Sequence, residues 1–488
     1  MSAGGPPARI AETHISVVAM VGDRAYKLLK PVTLGFLDHA RREDRERACH
    51  RETELNRRFA PDVYLGVLDV VDGSGAPVDH LIVMRRMPED RRLSGLLGSP
   101  EAPALVDEVA AAVAEAHARA PTSPAIAAAG SAEAMRRRWD DDIREMDALD
   151  PPAIPRAARE RLAALAREYL AGRGPLLASR QAAGWVRDGH GDLLCDDVYC
   201  LDDGPRILDC LAFDDALRHG DVLGDVAFLA MDLEARGRPD LAARVVDRWA
   251  ERLGERHPAS LAGHHVAHRA HVRAKVAAIR AGQGHEGAAA EAARLHALAL
   301  SRLERARVRL VLVGGAPGTG KSMLARGLAG REGWRLLRSD EVRKALAGRE
   351  PGEAAPAPWG GGIYAPEAAA RVYAALAERA AELMAMGESV VVDASWAAAR
   401  HREPARAAAA GARAPVVEVL LEAPPAVAEA RIRRRLARGG DPSDATPEIA
   451  ARLAAAFDPW PEARRLDAGR PPEAVLDEAA ALARATAP

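Results

Sequence analysis

The chain has 488 residues, 48% of them hydrophobic, and a formal net charge of −2. That length is too great for one compact core and predicts roughly two to four domains, and the balanced charge disfavours a broadly basic nucleic-acid-binding protein. No run of about 18 uncharged apolar residues marks a membrane span, and Pro6, Pro7 and Glu12 leave no signal-peptide core, so a cytoplasmic protein without a membrane partner is expected.

Four cysteines, Cys49, Cys195, Cys200 and Cys210, show no Cys-x-x-Cys spacing and predict free thiols. Of the 68 basic residues only five are lysine: Lys27, Lys30, Lys275, Lys321 and Lys344. In a chain that uses arginine almost everywhere, each remaining lysine is a candidate for a role that a forked guanidinium fills less well.

From the N-terminus, residues 15–20 and 25–30 read as two strands joined by the hairpin signal Val21-Gly22-Asp23-Arg24. Strand alternation puts Lys27 with Ala25 and Leu29 on one face and Lys30 on the other. A polar, arginine-rich helix over about 38–59 offers Glu46, Glu52 and Glu54 as partners for a strand lysine. Strands at 63–71 and 81–84 follow, and Arg85-Arg86-Met87-Pro88 interrupts the pattern as a hinge would. Taken alone, this is a small antiparallel sheet with one helix, and both lysines also fit as plain edge-strand charges.

Helical spacing returns at 105–118 and 156–170. The acidic triplet Asp140-Asp141-Asp142 suits either attraction of a cationic acceptor or an acidic helix start. Next come His190-Gly191-Asp192, Asp197 and, after a hairpin around Asp202-Asp203-Gly204, Leu208-Asp209. Three carboxylates thus bracket two short strands. Phosphoryl transfer calls for such a set, one acid to orient and deprotonate a hydroxyl and two to hold Mg²⁺, although a solvated acidic loop would share the pattern. Asp221 and Asp225 are expected to fix this loop or cap the next helix. His264, His265, His268 and His271 share a helix face; without a carboxylate or cysteine at zinc spacing, packing is preferred to metal binding, and Lys275 has no assignment.

After a break at 282–287, a helix over 288–305 leads to the apolar strand 308–313, and a domain boundary falls near 300. The loop Gly314 to Ser322 reads Gly-Gly-Ala-Pro-Gly-Thr-Gly-Lys-Ser and precedes a helix over 323–329. Gly315, Gly318 and Gly320 allow the backbone N–H groups to turn inward beside Thr319, Lys321 reaches the β and γ phosphates, and Ser322 offers a hydroxyl to Mg²⁺. Asp340, at a strand-to-helix junction, is the candidate base and Arg343 the acceptor holder. Asp393, closing the strand 389–392, is the candidate Mg²⁺ carboxylate. The run Arg431 to Arg438, including Arg435 and followed by residues 439–444, suits either a solvated helix face or a lid closing on phosphate.

His190-Gly-Asp192-Leu-x-x-x-Asp197 with Ile207-Leu208-Asp209, Gly220-Asp221 and Asp225 resembles the aminoglycoside phosphotransferase family, whose fold is protein-kinase-like. Lys27-Leu-Leu-Lys30-Pro31, Glu52-x-x-Leu55-Asn56 and Met84-Arg-Arg-Met87-Pro88 extend the likeness to bacterial proteins that fuse such a domain to a P-loop kinase. The resemblance implies Asp192 as catalytic base, Asp197 and Asp209 as metal ligands, and Lys27 or Lys30 on the ATP phosphates with Glu52 as ion-pair partner. Asp197 stands where the wider family usually has asparagine, and no Gly-rich loop precedes Lys27. Asp340-x-x-Arg343, the phosphate loop, Asp393 and the basic run resemble small P-loop kinases.

The expectation is an α+β protein-kinase-like domain with an N-lobe (1–90) and a C-lobe (91–300), then an α/β P-loop kinase domain with a parallel sheet (301–488). ATP and Mg²⁺ are the implied cofactors and a small-molecule hydroxyl compound the implied acceptor. A polynucleotide 5′-hydroxyl kinase and an ATP-binding regulator with a vestigial first domain are the alternatives.

Overall fold

The N-terminal region folds into an antiparallel sheet of β1 (Arg9–Glu12), β2 (Ser16–Val21) and β3 (Arg24–Leu29), which, after the short pair β4 (Thr33–Leu34) and β5 (Leu37–Asp38), is completed by β6 (Tyr64–Val71) and β7 (Pro77–Arg85). The sheet order is β1-β2-β3-β7-β6. The computed structural model describes residues 8–34, 37–149, 153–350, 353, 360–438 and 445–485. It divides into two units, one of 1–159, 177–257 and 265–300, the other of 160–176, 258–264 and 301–488.

In the first unit, Val21 pairs with Arg24 across the two-residue turn Gly22–Asp23, where Gly22 takes a left-handed φ of 58°. The helix Arg42–Asn56 packs Cys49 against Ala25, Leu29, Ile82 and Met84 of the sheet. This helix is shorter than expected because 37–38 pair as β5 with β4. The edge strand β1 has no counterpart in the sequence reading: Arg9, Ile10 and Glu12 are exposed and Ala11 half-buried, so no alternation announces it.

Helices Ala102–Arg119, Ala132–Asp147, Val222–Ala235 and Pro239–Leu253 form the rest of the unit's core around buried Trp139 and Trp249. Two small antiparallel pairs complete it: β8 (Val186–Asp188) with β11 (His219–Asp221), and β9 (Val198–Leu201) with β10 (Gly204–Ile207). The acidic triplet lies well inside the helix Ala132–Asp147 rather than at its start, and each carboxylate has a partner: Asp140 in Arg136, Asp141 in Arg144, and Asp142 in Lys275 and His268. Lys275 also reaches Glu145 at 2.6 Å, which gives that lysine a structural role.

The histidine face is a packing face. His271 stacks on Trp139 with ring centroids 5.4 Å apart, and His268 lies 4.8 Å from the same indole. Among the described residues, no cluster of three or more His, Cys, Asp or Glu side chains is placed to hold a metal ion. No helix among them is long and apolar enough to cross a membrane.

In the second unit a fully buried strand, β12 (Leu310–Gly314), lies at the centre of a five-stranded parallel sheet with β13 (Arg335–Arg338), β14 (Val390–Asp393), β15 (Val416–Glu422) and β16 (Arg464–Asp467), in the order β13-β14-β12-β15-β16. Near-continuous apolar runs are what a strand covered on both faces requires. Leu324 and Leu328 of the helix Lys321–Glu332, with Val475 and Ala479 of Pro472–Arg484, pack onto Val311, Val391 and Val419. β16 carries one buried apolar residue, Leu466, and so gives no periodic signal in the sequence. Residues 160–176 and 258–264 belong to this unit through Glu168 with Arg307 at 2.7 Å and Ser260 Oγ to the Gly387 carbonyl at 2.6 Å.

Burial lowers the pKa of both His265 and His271 to about 3. In the unfolded chain they titrate near 6.5, so their neutral folded forms cost nothing above that pH, and stability falls as pH drops from about 6.5 towards 3 because only the unfolded state takes up the protons. His271→Phe is therefore expected to reduce the loss of unfolding free energy between pH 7.5 and 5 by on the order of 1–2 kcal/mol, measured by urea titration at the two pH values.

Candidate active sites

In the first unit, β3 presents Lys27 to the helix Arg42–Asn56. Lys27 Nζ lies 2.7 Å from Glu52 Oε1 and 3.7 Å from Asp209 Oδ1. Burial opposes the charge on this ammonium, but the carboxylates of Glu52 and Asp209 outweigh it and hold its pKa above the ordinary lysine value. Lys30, three residues on and hence on the opposite face, bonds instead to Glu12 Oε1 at 2.5 Å and the Thr13 carbonyl at 2.6 Å. The structure therefore brings Lys27, and not Lys30, to Glu52 and Asp209, and so chooses between two lysines that strand alternation places on opposite faces.

Asp209 adopts a left-handed φ of 60° and donates its backbone N–H to Tyr64 Oη at 3.3 Å. The next amide, Cys210 N–H, donates to Asn56 Oδ1 at 2.8 Å. Asn56, one turn beyond Glu52, thus ties the backbone after Asp209 to the helix that positions Lys27. Its place in the motif was legible; its role required the tertiary contact.

The turn bearing Asp192 hangs on a buried carboxylate. Asp225 accepts the His190 N–H at 2.6 Å and the Gly191 N–H at 2.8 Å. Trp249 donates its indole N–H to His117 Nδ1 at 2.9 Å, which places the proton of that imidazole on Nε2, 3.0 Å from Asp225 Oδ2. Although burial works the other way, the His117 hydrogen bond and the charges around it hold the Asp225 carboxyl well below its usual range. His190 Nε2 lies 2.9 Å from the Leu208 carbonyl and joins the turn to the segment before Asp209. Asp221 caps the helix Val222–Ala235 by accepting from Leu223 N–H and is bound by Arg180. His117 and Trp249 sit in ordinary helical core positions, and nothing in the sequence marks them.

Desolvation raises the Asp192 carboxyl above its ordinary value, against the pull of Arg273 and His190. Asp197 is raised much further, by burial and then by the neighbouring charges of Asp209 and Asp192. Such crowding of carboxylates is what a divalent cation relieves, and the side chains of Asp197 and Asp209 carry oxygen atoms of the kind Mg²⁺ prefers.

In the second unit, parallel register sets the site. Val313, which leads into the phosphate loop, lies opposite Asp393, and Asp393 lies opposite Arg338. Arg338 Nε donates to Asp393 Oδ2 at 3.2 Å, while Asp393 Oδ1 is buried and has no hydrogen-bond partner. One oxygen is thus oriented and the other is left for a ligand, which fits the Mg²⁺ role together with Ser322, the second residue of the helix Lys321–Glu332. Arg338 was not singled out from the sequence; only the strand register brings it beside Asp393.

The loop glycines are sterically required. A Cβ on Gly318 (φ 85°) would lie 2.4 Å from the Ala428 carbonyl oxygen, and one on Gly315 (φ 144°) 2.7 Å from those of Leu421 O and Thr319 Oγ1. Gly320, with φ 100°, begins the helix. Thr319 Oγ1 closes the loop by donating to the Ala316 carbonyl at 2.9 Å.

Burial raises the Asp340 carboxyl while the charges of Lys321 and Arg343 oppose the rise, so these three groups share one electrostatic neighbourhood. Arg343 donates to the Ile363 carbonyl at 3.0 Å and lies over the Tyr364 ring at 4.8 Å, and its Nε is buried without a partner. Arg431 crosses to the phosphate loop, donating to the Thr319 carbonyl at 3.1 Å and the Ala468 carbonyl at 3.0 Å. Arg435 bonds instead to the Ala445 carbonyl at 2.6 Å, and residues 439–444, which follow the basic run, lie outside the described residues.

Asp225→Asn is expected to destabilise the first unit by roughly 3–5 kcal/mol, measured as the lowered midpoint of its unfolding transition, because the His117 proton and two buried amides lose their charged acceptor. Gly318→Ala should abolish the rise in melting temperature that Mg-ATP gives the second unit, with little change in the far-ultraviolet circular dichroism.

A family model described as "AAA domain" matches residues 310–460. The uncharacterized protein Rv2004c of Mycobacterium tuberculosis is 40% identical over 474 residues, which cover 96% of this chain and 94% of the relative. Similar solved structures include a choline/ethanolamine kinase family protein from Mesorhizobium loti (15% identical, TM-score 0.38, 61% of this chain and 92% of that one). A sugar kinase from Janibacter sp. HTCC2649 is also similar (23% identical, TM-score 0.28, 37% of this chain and 99% of that one). The chain belongs to the family of Rv2004c, and its phosphate loop and the strands of its five-stranded parallel sheet up to β15 lie within the stretch that the AAA-domain model matches.

Proposed function

We propose that the protein is an ATP-dependent phosphotransferase with two kinase sites, each transferring the γ-phosphoryl group to a hydroxyl of a small-molecule acceptor. The observation that carries this reading is the split carboxylate of Asp393, one oxygen held by Arg338 and the other buried without a partner, opposite the residue that enters the phosphate loop. A pure docking domain has no use for such an oxygen.

At the second site the loop amides and Lys321 hold the phosphates, and Arg431 lies against the same loop. Bound Mg²⁺ would supply charge neutralisation on the phosphate oxygens. Asp340 takes the acceptor hydroxyl proton as the acceptor oxygen bonds to the γ-phosphorus and the bond to the β-phosphate bridging oxygen breaks, releasing ADP. Desolvation moves its pKa towards neutrality, which strengthens it as a base. Arg343, with Nε unsatisfied and its face on Tyr364, holds the acceptor.

At the first site Asp192 plays the part of Asp340, Asp197 and Asp209 are the metal ligands, and Lys27, aligned by Glu52, meets the phosphates. The charge of Asp197 in place of an amide favours tight metal binding there. Polynucleotide 5′-hydroxyl phosphorylation by the second site, and a docking role for the first, are the competing functions.

Asp192→Asn and Asp340→Asn are each expected to lower ATP-dependent phosphorylation at their own site by about 10²–10⁴-fold, read by mass spectrometry of products from a small-metabolite extract. Unchanged product in both variants would exclude the enzyme reading. Phosphate appearing on a 5′-hydroxyl oligonucleotide, and lost in Arg343→Ala, would replace the small acceptor with a nucleic-acid end.

A further inference from the structure

Behind the turn that carries Asp192, the first unit contains a cavity of about 570 Å³ that none of the proposed chemistry uses. Its walls come from the chain just after the helix Arg42–Asn56, the last turns of the helix Ala102–Arg119, and Ile207 at the end of β10. The volume is that of a small-molecule pocket. Phe59, Pro61, Ala116 and Ile207 give it an apolar lining, and three arginines, Arg57, Arg58 and Arg119, stand around it.

The positive charge there is not balanced. Arg119 makes no ion pair among the described residues, and it stands in the last turn of its helix, where the unsatisfied carbonyls favour a cation. Arg57 spends its guanidinium on two carbonyls, those of Tyr64 at 2.7 Å and Leu65 at 2.6 Å, and meets no carboxylate. Arg58 pairs with Asp188 at 3.0 Å, but Asp188 is shared with Arg218. The one acid in the wall, Glu115, is engaged by Arg252 at 3.0 Å. Within this cationic wall Arg58 Nε is buried and has no hydrogen-bond partner, an omission that costs stability unless a ligand repairs it.

The same wall touches the catalytic turn. Arg58 Nη2 donates to the Gly189 carbonyl at 2.6 Å, and the Phe59 ring meets the His190 ring edge-on with centroids 5.0 Å apart. Arg58 also lies over the Phe59 ring at 5.3 Å, so a shift of the guanidinium bears on both side chains. Any occupant that draws the Arg58 guanidinium towards itself acts on the two residues immediately before Gly191 and Asp192.

We infer that this cavity is an effector site for a small organic anion, an apolar body bearing a phosphate, sulfonate or carboxylate, whose binding is transmitted to the His190–Gly191 turn through Arg58 and Phe59. The site is separate from the phosphate-transfer chemistry, and it is tested by binding rather than turnover. The probe is 1-anilinonaphthalene-8-sulfonate, titrated by fluorescence into the full chain with excess Mg-ADP present, with phenyl phosphate as competitor. Saturable binding displaced by phenyl phosphate is expected, weakened about tenfold in Arg119→Glu and blocked in Ala116→Trp, which fills the cavity. Hydrogen exchange across 189–191 should slow when phenyl phosphate is bound. Binding that does not saturate, or that is equal in the wild type and both variants, overturns the site. Binding that leaves exchange at 189–191 unchanged overturns its coupling to the turn.

Discussion

Asp225 is held in the interior of the first unit with its carboxylate committed to two backbone amides and an imidazole, and the placement of the surrounding residues follows from that one buried charge. A carboxylate removed from water has to be matched by donors, and here the donors are the amides of His190 and Gly191 and the proton that Trp249 forces onto Nε2 of His117. The helix Val222–Ala235 therefore fixes the turn, the turn fixes Asp192, and His190 carries the constraint on to Leu208 and the left-handed Asp209. From the other side, Asn56 holds Cys210 and Glu52 holds Lys27.

The second unit reaches a comparable state by a different route. Parallel strands align Val313, Asp393 and Arg338 in one register, so the group expected to face the metal and the cation that orients it come from neighbouring strands rather than from neighbouring sequence. The loop needs no side-chain scaffold of this kind, because Gly315 and Gly318 press their backbones against the carbonyls of Leu421 and Ala428. Each unit thus keeps one carboxyl group under electrostatic stress, Asp393 with an unpartnered oxygen and Asp197 raised by burial and by the charges of Asp209 and Asp192.

Arginine performs most of the structural ion pairing among the described residues, and four of the five lysines, Lys344 apart, divide into two kinds. Lys27 is buried between two carboxylates, and Lys321 opens the helix behind the phosphate loop. Lys30 and Lys275, by contrast, end in ion pairs away from both candidate sites, Lys30 with Glu12 and Lys275 with Asp142 and Glu145. Lysine scarcity is thus a useful pointer but not a sufficient one. What separates the two kinds is the face of the strand or helix on which each lysine falls and what packs against it.

Local pattern carried much of what is now visible. The phosphate loop, its strand and helix, the two acidic turns and the β2–β3 hairpin are each written in consecutive residues, because backbone geometry at glycine and the period of strand or helix act over short range. The weak edge strands β1 and β16 were not legible, since almost none of their residues alternate in burial. By itself the sequence determined that the chain holds a phosphate loop and, well before it, an acidic cluster of Asp192, Asp197 and Asp209, and which residue types each contains. Tertiary structure alone decided that Lys27 rather than Lys30 meets Glu52, that Arg338 orients Asp393, and that Asn56, His117 and Trp249 support the first site. Those choices depend on strand register and on the pairing of buried charges between segments up to about 150 residues apart, which no local pattern encodes.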